Sequence, residues 1–208
     1  GSINYVKKLI APFEGKIKLN THIKFIDRKN DHVEIQFYDR VEKFDWVFFA
    51  CHSDEALKLI KSPTQNEKDI LQSIPYTDNE VILHFDERFM PRRKLAWAAW
   101  NYHINQDSAL PVSLTYNMNI LQNLKINVPI LVTLNPQEKI DKHKIIKKLS
   151  YAHPQYSLKS IEAQSKYHLI SGVNRTSYAG AYWGNGFHED GVKSAIDAIK
   201  QFNKVHGF

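Results

Sequence analysis

The sequence has little cysteine and no long apolar run. Its 208 residues include a single cysteine, Cys51, which excludes an internal disulfide and a cysteine-based zinc site and suits a reducing compartment. No apolar run approaches the roughly 20 residues that a membrane-spanning helix needs, and the first residues lack the basic, apolar and small-residue regions of a signal peptide. These absences predict a cytoplasmic protein without a transmembrane segment.

Several signatures of metal, hydrolase and nucleic-acid-binding sites are also absent. The ten histidines mostly lie singly, without the His-x-x-x-His or His-Glu-x-x-His spacing that holds a metal, so we expect no metal site. There is no Gly-x-Ser-x-Gly elbow, and Cys51 and His52 are neighbours whose side chains would point apart on a strand. The net charge of +6 comes with scattered lysines and no nucleic-acid-binding motif, so we predict no nucleic-acid partner.

The apolar residues that are present follow two periodicities. Hydrophobic residues make up 43% of the chain, and aromatic residues make up 12% of it. This content is enough for a substantial core. Helical spacing predicts a helix over Ile3–Phe13, and alternation that starts at Ile17 and Leu19 predicts a β-meander. The nearly continuous apolar run Phe44–Ala50 predicts a strand buried on both faces.

The middle of the chain changes from helices to strands. Ser53 opens one predicted helix, and Thr64 with Glu67 forms a capping box for a second. The strands and the short helix that follow are predicted over Glu80–Phe85, Leu95–Ile104, Val112–Asn117, Ile130–Asn135, Ile145–His153 and Leu158–Gln164. We therefore expect a two-lobed α+β chain, in which residues 1–78 and 154–208 share one lobe and residues 79–153 form an antiparallel sheet.

A glycine-rich stretch near the C-terminus is the most suggestive segment. Thr176–Gly191 begins as a strand, passes through three closely spaced glycines and enters a helix. In that helix Val192, Ala195, Ile196 and Ile199 recur at helical spacing. Such a turn allows close approach of the backbone to a ligand, and the helix amides suit a phosphate or a polarised oxygen. A nucleotide-like cofactor would fit there, but for a lone glycine cluster the favoured explanation is a loop that only turns a corner and caps the helix.

An aromatic cluster marks the second lobe. Trp100 and Tyr102 would share one face of a strand, whereas Trp97 would lie on the other face unless a bulge intervenes. With Tyr116 they could line a large apolar pocket or simply belong to a core. Asn101 and Asn117 could contact a substrate, or they could serve turns.

These segments together carry a family resemblance. The chain resembles the C-terminal half of bacterial FAD-dependent oxidoreductases of the flavin-containing amine oxidase superfamily. The resemblance extends over almost the whole chain and is most specific in its last motif. The matching segments are Tyr5-Val6-x-x-Leu9 with Ala11-Pro12-Phe13, Asp45–His52, Met90–Arg93, Ala96–Tyr102, Val112–Tyr116, Val132–Pro136, Tyr151–Pro154 and Ala179–Gly191.

The resemblance implies FAD as cofactor, held by segments far apart in sequence. In the family, an N-terminal Rossmann unit with Gly-x-Gly-x-x-Gly binds the ADP half, and this chain has no such motif. By position, the last motif would meet the flavin ring and ribityl chain, with the amides near His188 and Glu189 facing the pyrimidine oxygen. The cofactor-binding residues implied are Ile23, Ala50, Cys51, His52, Gly180, Ala181, Tyr182, Gly184, Gly186, Phe187, His188, Glu189 and Gly191.

The resemblance also implies a substrate lobe and shows one departure. Residues 79–153 would cover the flavin, which makes Trp97, Trp100, Asn101, Tyr102, Tyr116 and Asn117 candidates for a substrate pocket. Many family members carry an acidic residue directly after the Ala-Gly pair, near the ribityl or pyrophosphate region. Here Ala181 and Tyr182 follow instead, so that contact must be absent or supplied elsewhere.

The sequence therefore predicts a fragment of an oxidoreductase. The fold class is α+β, a partial FAD/NAD(P)-binding lobe with a β-meander plus a substrate lobe with an antiparallel sheet. The parent protein would pass a hydride from a small-molecule substrate to the flavin. Its partner would be the Rossmann segment of the same parent chain, and a homodimer through an exposed sheet edge is possible. Without the Rossmann unit the pyrophosphate would lose most of its donors, so we expect the isolated chain to bind FAD weakly or not at all and to be inactive. The alternative function is therefore a catalytically inactive binding lobe.

Overall fold

A computed structural model describes residues 3–104 and 112–207. The helices are α1 (Ile3–Ile10), α2 (Ser53–Leu59), α3 (Gln65–Leu71), α4 (Met118–Leu121), α5 (Leu158–Ser165) and α6 (His188–His206). The strands are β1 (Ile23–Arg28), β2 (Val33–Phe37), β3 (Val41–Phe44), β4 (Val47–Phe49), β5 (Tyr76–His84), β6 (Trp100–His103), β7 (Ser113–Asn117), β8 (Leu131–Leu134), β9 (Ile145–Pro154) and β10 (Thr176–Tyr178). Short 3₁₀ helices include Glu87–Phe89, Lys94–Ala96 and Ala181–Trp183.

The chain divides into two compact units. One, the sheet unit, contains Thr77–His153 together with α1. The other, the mixed unit, contains Ala11–Tyr76 and the residues from Pro154 onward. The mixture of helices and sheets confirms the α+β class, while the roles of the two units in cofactor and substrate binding stay predictions.

The mixed unit contains the predicted meander and a parallel strand pair. β1, β2 and β3 are antiparallel neighbours in chain order, with Ile26 opposite Ile35. β4 and β10 form a separate parallel pair. The apolar core between these sheets and the helices includes Ile26, Phe49 and Tyr178, and the rings of Phe49 and Tyr178 stack at 5.2 Å.

Two predictions in this region are wrong. Ile17 and Leu19 lie outside any strand and are exposed, because the meander begins only at Ile23. The strand predicted over Phe44–Ala50 has three residues, Val47–Phe49, and Phe48 remains 43% exposed. Only one side of β4 packs on the core, so its apolar run does not indicate burial on both faces.

The helices of the mixed unit begin where the sequence places them. α3 has the predicted capping box, in which Thr64 Oγ1 accepts from the Glu67 amide at 3.2 Å and Glu67 accepts from the Thr64 amide. α5 agrees with the predicted short helix. No helix among the described residues combines the length and apolarity needed to cross a membrane.

Helix α6 has the predicted periodicity but buries a different face. Its buried residues are Ser194 and Ala198. Val192, Ile196 and Ile199, whose spacing predicted the helix, are 55%, 47% and 52% exposed. Small residues allow the helix to approach the 3₁₀ helix Ala181–Trp183 closely, and the larger apolar residues are left on the outside.

The sheet unit is a five-stranded sheet in the order β6-β7-β8-β5-β9. β6, β7, β8 and β5 pair antiparallel, with Asn101, Thr115, Thr133 and Ile82 aligned across them. The strand predicted over Leu95–Ile104 is shorter, because Lys94–Ala96 forms a 3₁₀ helix and β6 begins only at Trp100. Trp97 therefore lies before the strand and not on its opposite face.

Candidate functional site

The parallel pairing of β4 and β10 brings two predicted cofactor segments together. Val47 is opposite Thr176 and Phe49 is opposite Tyr178, and the Ala179 amide donates to the Phe49 carbonyl at 2.8 Å. The residues that follow the two strands are therefore neighbours at one rim. This rim is the carboxyl end of parallel strands, where ligands of open α/β sheets bind.

Helix α6 is tied to this rim by a serine. The Gly180 amide donates to Ser194 Oγ at 2.9 Å, and Ser194 Oγ donates to the Gly191 carbonyl at 2.7 Å. The first turn of α6 thus lies beside the Ala-Gly pair that ends β10. Helix amino termini carry partial positive charge, which favours a negative group at this end.

The glycines of the turn make room for side chains of the chain itself. A Cβ on Gly180 would collide with the Tyr182 ring, and one on Gly184 would lie 2.6 Å from an Asp190 oxygen. Gly186 has a φ of +87°, which favours glycine, and a Cβ there would lie 2.8 Å from the Tyr156 hydroxyl. At these three positions the space beside the glycine is therefore filled by side chains of the protein itself.

Asp190 occupies part of the helix terminus. Its carboxylate accepts from the Asn185 amide at 3.1 Å and from the Phe187 amide at 3.0 Å. This bond pattern fixes the turn and neutralises part of the helix dipole. Phe187, His188 and Glu189 remain exposed beside it.

The other half of the rim is formed by the end of β4 and the start of α2. Ala50 is exposed, while Cys51 and His52 are half-buried. Burial, with a smaller contribution from Glu55, raises the pKa of the Cys51 thiol to about 11, so the thiol stays protonated and is a poor nucleophile. The His52 ring stacks on Tyr76 at 4.3 Å. Ile23 packs against the core from β1.

Tyr182 is the unusual polar group of this region. It is 4% exposed, and its hydroxyl has no hydrogen-bond partner among the described residues. Burial, reinforced by Tyr76 and Cys51, raises the pKa of this phenol far above its usual range. A buried hydroxyl without a partner costs about 1–3 kcal/mol, which is the kind of cost found at functional sites.

The predicted pocket residues of the sheet unit lie on two faces. Trp100, Tyr102 and Tyr116 share one face, and the rings of Trp100 and Tyr116 meet edge to face at 5.2 Å. Trp97 donates from Nε1 to the Pro91 carbonyl at 2.8 Å, in the loop before β6. Asn101 lies on the opposite, buried face.

Both asparagines have structural partners. Asn101 Nδ2 donates to the Ala98 carbonyl at 2.8 Å and to the Thr115 carbonyl at 3.2 Å. Asn117 Oδ1 accepts from the first amides of α4. These contacts support their role in turns, and a substrate contact stays a prediction.

A buried polar layer of the sheet unit was missed by the sequence analysis. The Asp86 amide donates to His84 Nδ1 at 3.0 Å, so Nε2 carries the proton and donates to Thr133 Oγ1 at 2.7 Å. Thr133 and Thr115 are joined at 2.8 Å, and Thr115 reaches His103 Nε2 at 3.1 Å. Alternating polar residues on three strands were the available signal.

A second buried polar cluster lies in the mixed unit. The Glu67 carboxylate accepts from the Arg28 guanidinium and, at 2.9 Å, from the Tyr178 hydroxyl. The side chains of Arg28 and Glu67 are 8% and 2% exposed. The sequence showed Glu67 as a helix cap, but its distant partner left no local signal.

Comparison with known proteins was made by sequence and by fold. No family model and no curated protein matches the sequence. The structure is similar to that of a CLA-producing fatty acid isomerase from P. acnes, with TM-score 0.62 and 16% identity over 88% of this chain and 47% of that one. It is also similar to a protein described as a protoporphyrinogen oxidase from Exiguobacterium, with TM-score 0.65 and 12% identity over 94% and 50% of the two chains.

A third similar structure is cyclohexylamine oxidase from Brevibacterium oxydans, with TM-score 0.59 and 10% identity over 91% and 50% of the two chains. The chain spans about half the length of the structures that it matches. At these identities the likeness shows the fold alone, which this chain shares with about half of each of these structures.

Proposed function

We propose that the chain is the second half of an FAD-dependent, amine-oxidase-like oxidoreductase that transfers a hydride from its substrate to the flavin. The fold supports this proposal, because the similar structures are amine-oxidase-like enzymes of twice the length. The observation that carries it is the parallel pairing of β4 with β10. This pairing places both predicted cofactor segments at one strand-end rim, with the amino end of a long helix beside them.

The residues at the rim fit the flavin half of FAD. FAD supplies the acceptor for the hydride when it is bound. The first turn of α6, with the His188 and Glu189 amides, would hold an electronegative edge of the ring and favour negative charge there. Tyr182, whose buried hydroxyl has no hydrogen-bond partner among the described residues, lies in the 3₁₀ helix that packs against α6, and Cys51 would remain a neutral neighbour.

We propose that the ADP half is bound by a Rossmann segment that docks against the mixed unit. A parallel sheet is ordinarily buried on both faces and has more strands than the β4–β10 pair. Helix α6 presents Val192, Ile196 and Ile199 to solvent. A βαβ unit that extends the strand pair and covers this helix would bury both surfaces.

The second candidate function is a binding lobe without activity of its own. It is favoured by the turn itself, where the spaces at Gly180, Gly184 and Gly186 are taken by the chain's own side chains. The Asp190 carboxylate also uses two amides that an anionic ligand would need. In this case the 208-residue chain would bind flavin only after a Rossmann segment joins it.

Absorption spectra of the purified chain distinguish these candidates. After incubation with excess FAD and desalting, we expect a weak retained flavin band with an altered visible envelope. His188→Pro removes one amide at the first position of α6, where proline is tolerated because Phe187 is already extended. We expect this variant to retain about tenfold less flavin, since one charge-stabilising donor is worth roughly 1.4 kcal/mol.

The matched control is Glu189→Gln, which keeps the amide and removes a charge. It should retain flavin as the parent chain does, and circular dichroism should show the helix intact in both variants. A colourless parent chain would favour the second candidate. Equal retention by His188→Pro and the parent would show that flavin binds somewhere other than the start of α6.

A further inference from the structure

A polar cavity of about 710 Å³ lies in the mixed unit, at the end of the β4–β10 pair opposite to the rim. Trp46 and Arg175 both line it, and they directly precede β4 and β10. The rim residues Ala50 and Ala179 directly follow the same two strands. Three residues of strand, or about 10 Å, therefore separate the cavity from the candidate flavin site.

The charged side chains that line this cavity are all cationic. They are Arg28, Lys29 and Arg175, and the lining has no aspartate or glutamate among the residues that the structure describes. Hydroxyl and amide side chains, which can donate to an oxygen ligand, also belong to the lining and include Ser62, Asn30 and Asn174. We name it the basic cavity.

Two of the three cations are neutralised by carboxylates outside the lining. The Arg28 guanidinium is bonded to the Glu67 carboxylate, and Lys29 Nζ lies 2.8 Å from an Asp27 oxygen. These pairs hold the wall of the basic cavity and add little net charge to it.

Arg175 is different, because it forms no ion pair with a described carboxylate. Its guanidinium donates to two backbone carbonyls, that of Asn30 at 3.1 Å and that of Asp45 at 3.3 Å. A guanidinium has five N–H donors, and these bonds use two of them. Arg175 therefore brings a positive charge and further donors to the basic cavity.

The backbone of Arg175 has a conformation that favours glycine. Its φ is +59° and that of Asn174 is +52°, in a tight turn closed by the Thr176 amide, which donates to the Val173 carbonyl at 3.1 Å. Tight turns with two left-handed central residues prefer glycine at the second of them. Backbone strain of this kind is concentrated at functional sites, so the arginine indicates a use for its side chain.

The carboxyl end of α6 is the part of the lining that disfavours an anion, because helix carboxyl ends carry about half a negative charge. Two of its terminal carbonyls are already bonded. His206 Nδ1 donates to the Phe202 carbonyl at 2.9 Å, and the Gly207 amide donates to the Asn203 carbonyl. The full charge of Arg175 exceeds what remains at this end.

We propose that the basic cavity binds an organic phosphate, a phosphate monoester that carries a flat group. The phosphate would accept from Arg175 and from the hydroxyl and amide donors, whose spread suits three outer oxygens better than the two of a carboxylate. Ligand pockets typically measure about 300–1,000 Å³, so the volume suits an organic molecule. The flat group would lie against Trp46, which is held in the wall because its Nε1 donates to Ser177 Oγ at 3.1 Å.

The test is calorimetric titration of the 208-residue chain with phenyl phosphate, with inorganic phosphate and with neutral phenol. We expect saturable binding of both phosphates that weakens with salt and is tighter for phenyl phosphate, and no binding of phenol. Arg175→Gln should weaken the binding of both phosphates about tenfold, because it removes a charged donor. Arg40→Gln is the matched control, since it makes the same charge change in the mixed unit outside the cavity.

Arg175→Gly distinguishes binding from a purely structural role of the arginine. Glycine suits the positive φ, which compensates for the two lost bonds, so this variant should unfold at about the same urea concentration as the parent. It should nevertheless bind the phosphates as weakly as Arg175→Gln does. A large loss of stability together with undiminished phosphate binding would show that Arg175 only joins the two loops, and would overturn the proposal.

Three other results would also overturn it. They are the absence of saturable binding of either phosphate, equal weakening by Arg40→Gln and Arg175→Gln, and phenol binding as tight as that of phenyl phosphate. The titration uses no FAD and the cavity lies away from the rim, so this proposal does not rest on the proposed function. A colourless chain that binds phenyl phosphate would contradict the flavin proposal alone, and a yellow chain that does not would contradict the basic cavity alone.

Discussion

Replacing Glu67 by leucine should lower the free energy of unfolding of the chain by about 3–5 kcal/mol. The change leaves the Arg28 guanidinium buried without its carboxylate, and breaking one side of a buried ion pair has this cost. Glu67 also accepts from the Thr64 amide at 2.7 Å, from the Thr64 hydroxyl at 3.0 Å and from the Tyr178 hydroxyl at 2.9 Å, so these donors and Arg28 lose their acceptor together. Burial disfavours the charge of Glu67, yet the bonds from Arg28 and Thr64 outweigh it and lower the pKa of the carboxyl.

Urea unfolding of the variant and of two controls measures this effect. Glu162→Ala removes an exposed carboxylate paired with Lys166 and should cost less than about 1 kcal/mol, because exposed pairs contribute little. The double variant Arg28→Met with Glu67→Leu should recover part of the loss, since it leaves no unpaired charge inside. A loss for Glu67→Leu as small as that for Glu162→Ala would show that water reaches the cluster.

The same residue shows how far sequence reasoning extends. The capping box of Thr64 and Glu67 was predictable, because both groups lie within four residues of each other and their geometry is local. The contact with Arg28 was not, since it depends on the packing of β1 against α3. The capping box therefore located the start of the helix. Nothing in the sequence indicated that the Glu67 carboxylate also forms an ion pair with Arg28.

Helix α6 illustrates a second limit. Its start and its helical spacing were readable from the sequence, but the spacing does not tell which residues of the helix are buried. The structure buries Ser194 and Ala198, because close approach to the rim requires small side chains and Ser194 bonds Gly180. An apolar stripe on a helix predicts that this side of the helix will be buried. It does not tell which other part of the protein buries it.

The residues of the candidate site were predicted from the family resemblance, whereas their arrangement follows from the pairing of β4 with β10. The sequence contains Ala50–His52 and the glycine-rich turn as separate segments. Only the parallel register of β4 and β10 makes them neighbours, and such a register between distant strands has no local signal. The buried polar layer of the sheet unit was missed for a related reason, because the hydrogen bonds of Thr115 and Thr133 join different strands and have no local signal.

That polar layer should make the stability of the chain depend on pH. His84 is fully buried, and this burial lowers its pKa to about 4 from an unfolded value near 6.5, although the charge of Asp86 acts in the opposite direction. Between these two values the unfolded chain binds the proton and the folded chain does not. The stability that neutral His84 contributes is therefore complete above about pH 6.5 and is lost as the pH falls toward 4.

The expected loss over this window is about 3 kcal/mol, since each unit of pKa difference corresponds to about 1.36 kcal/mol. Urea unfolding at a series of pH values measures it. Asp86 does not interfere, because Arg88 holds the pKa of its carboxyl well below the usual range, so its contribution is lost only at lower pH. His84→Gln should remove most of the slope between pH 4 and 6.5, even if the variant is less stable throughout.

His103→Gln is the matched control, because His103 ends the same chain of hydrogen bonds but is only half-buried. It should keep the slope. A slope that persists unchanged in His84→Gln would contradict the prediction, because the acid sensitivity would then come from a group other than the buried His84.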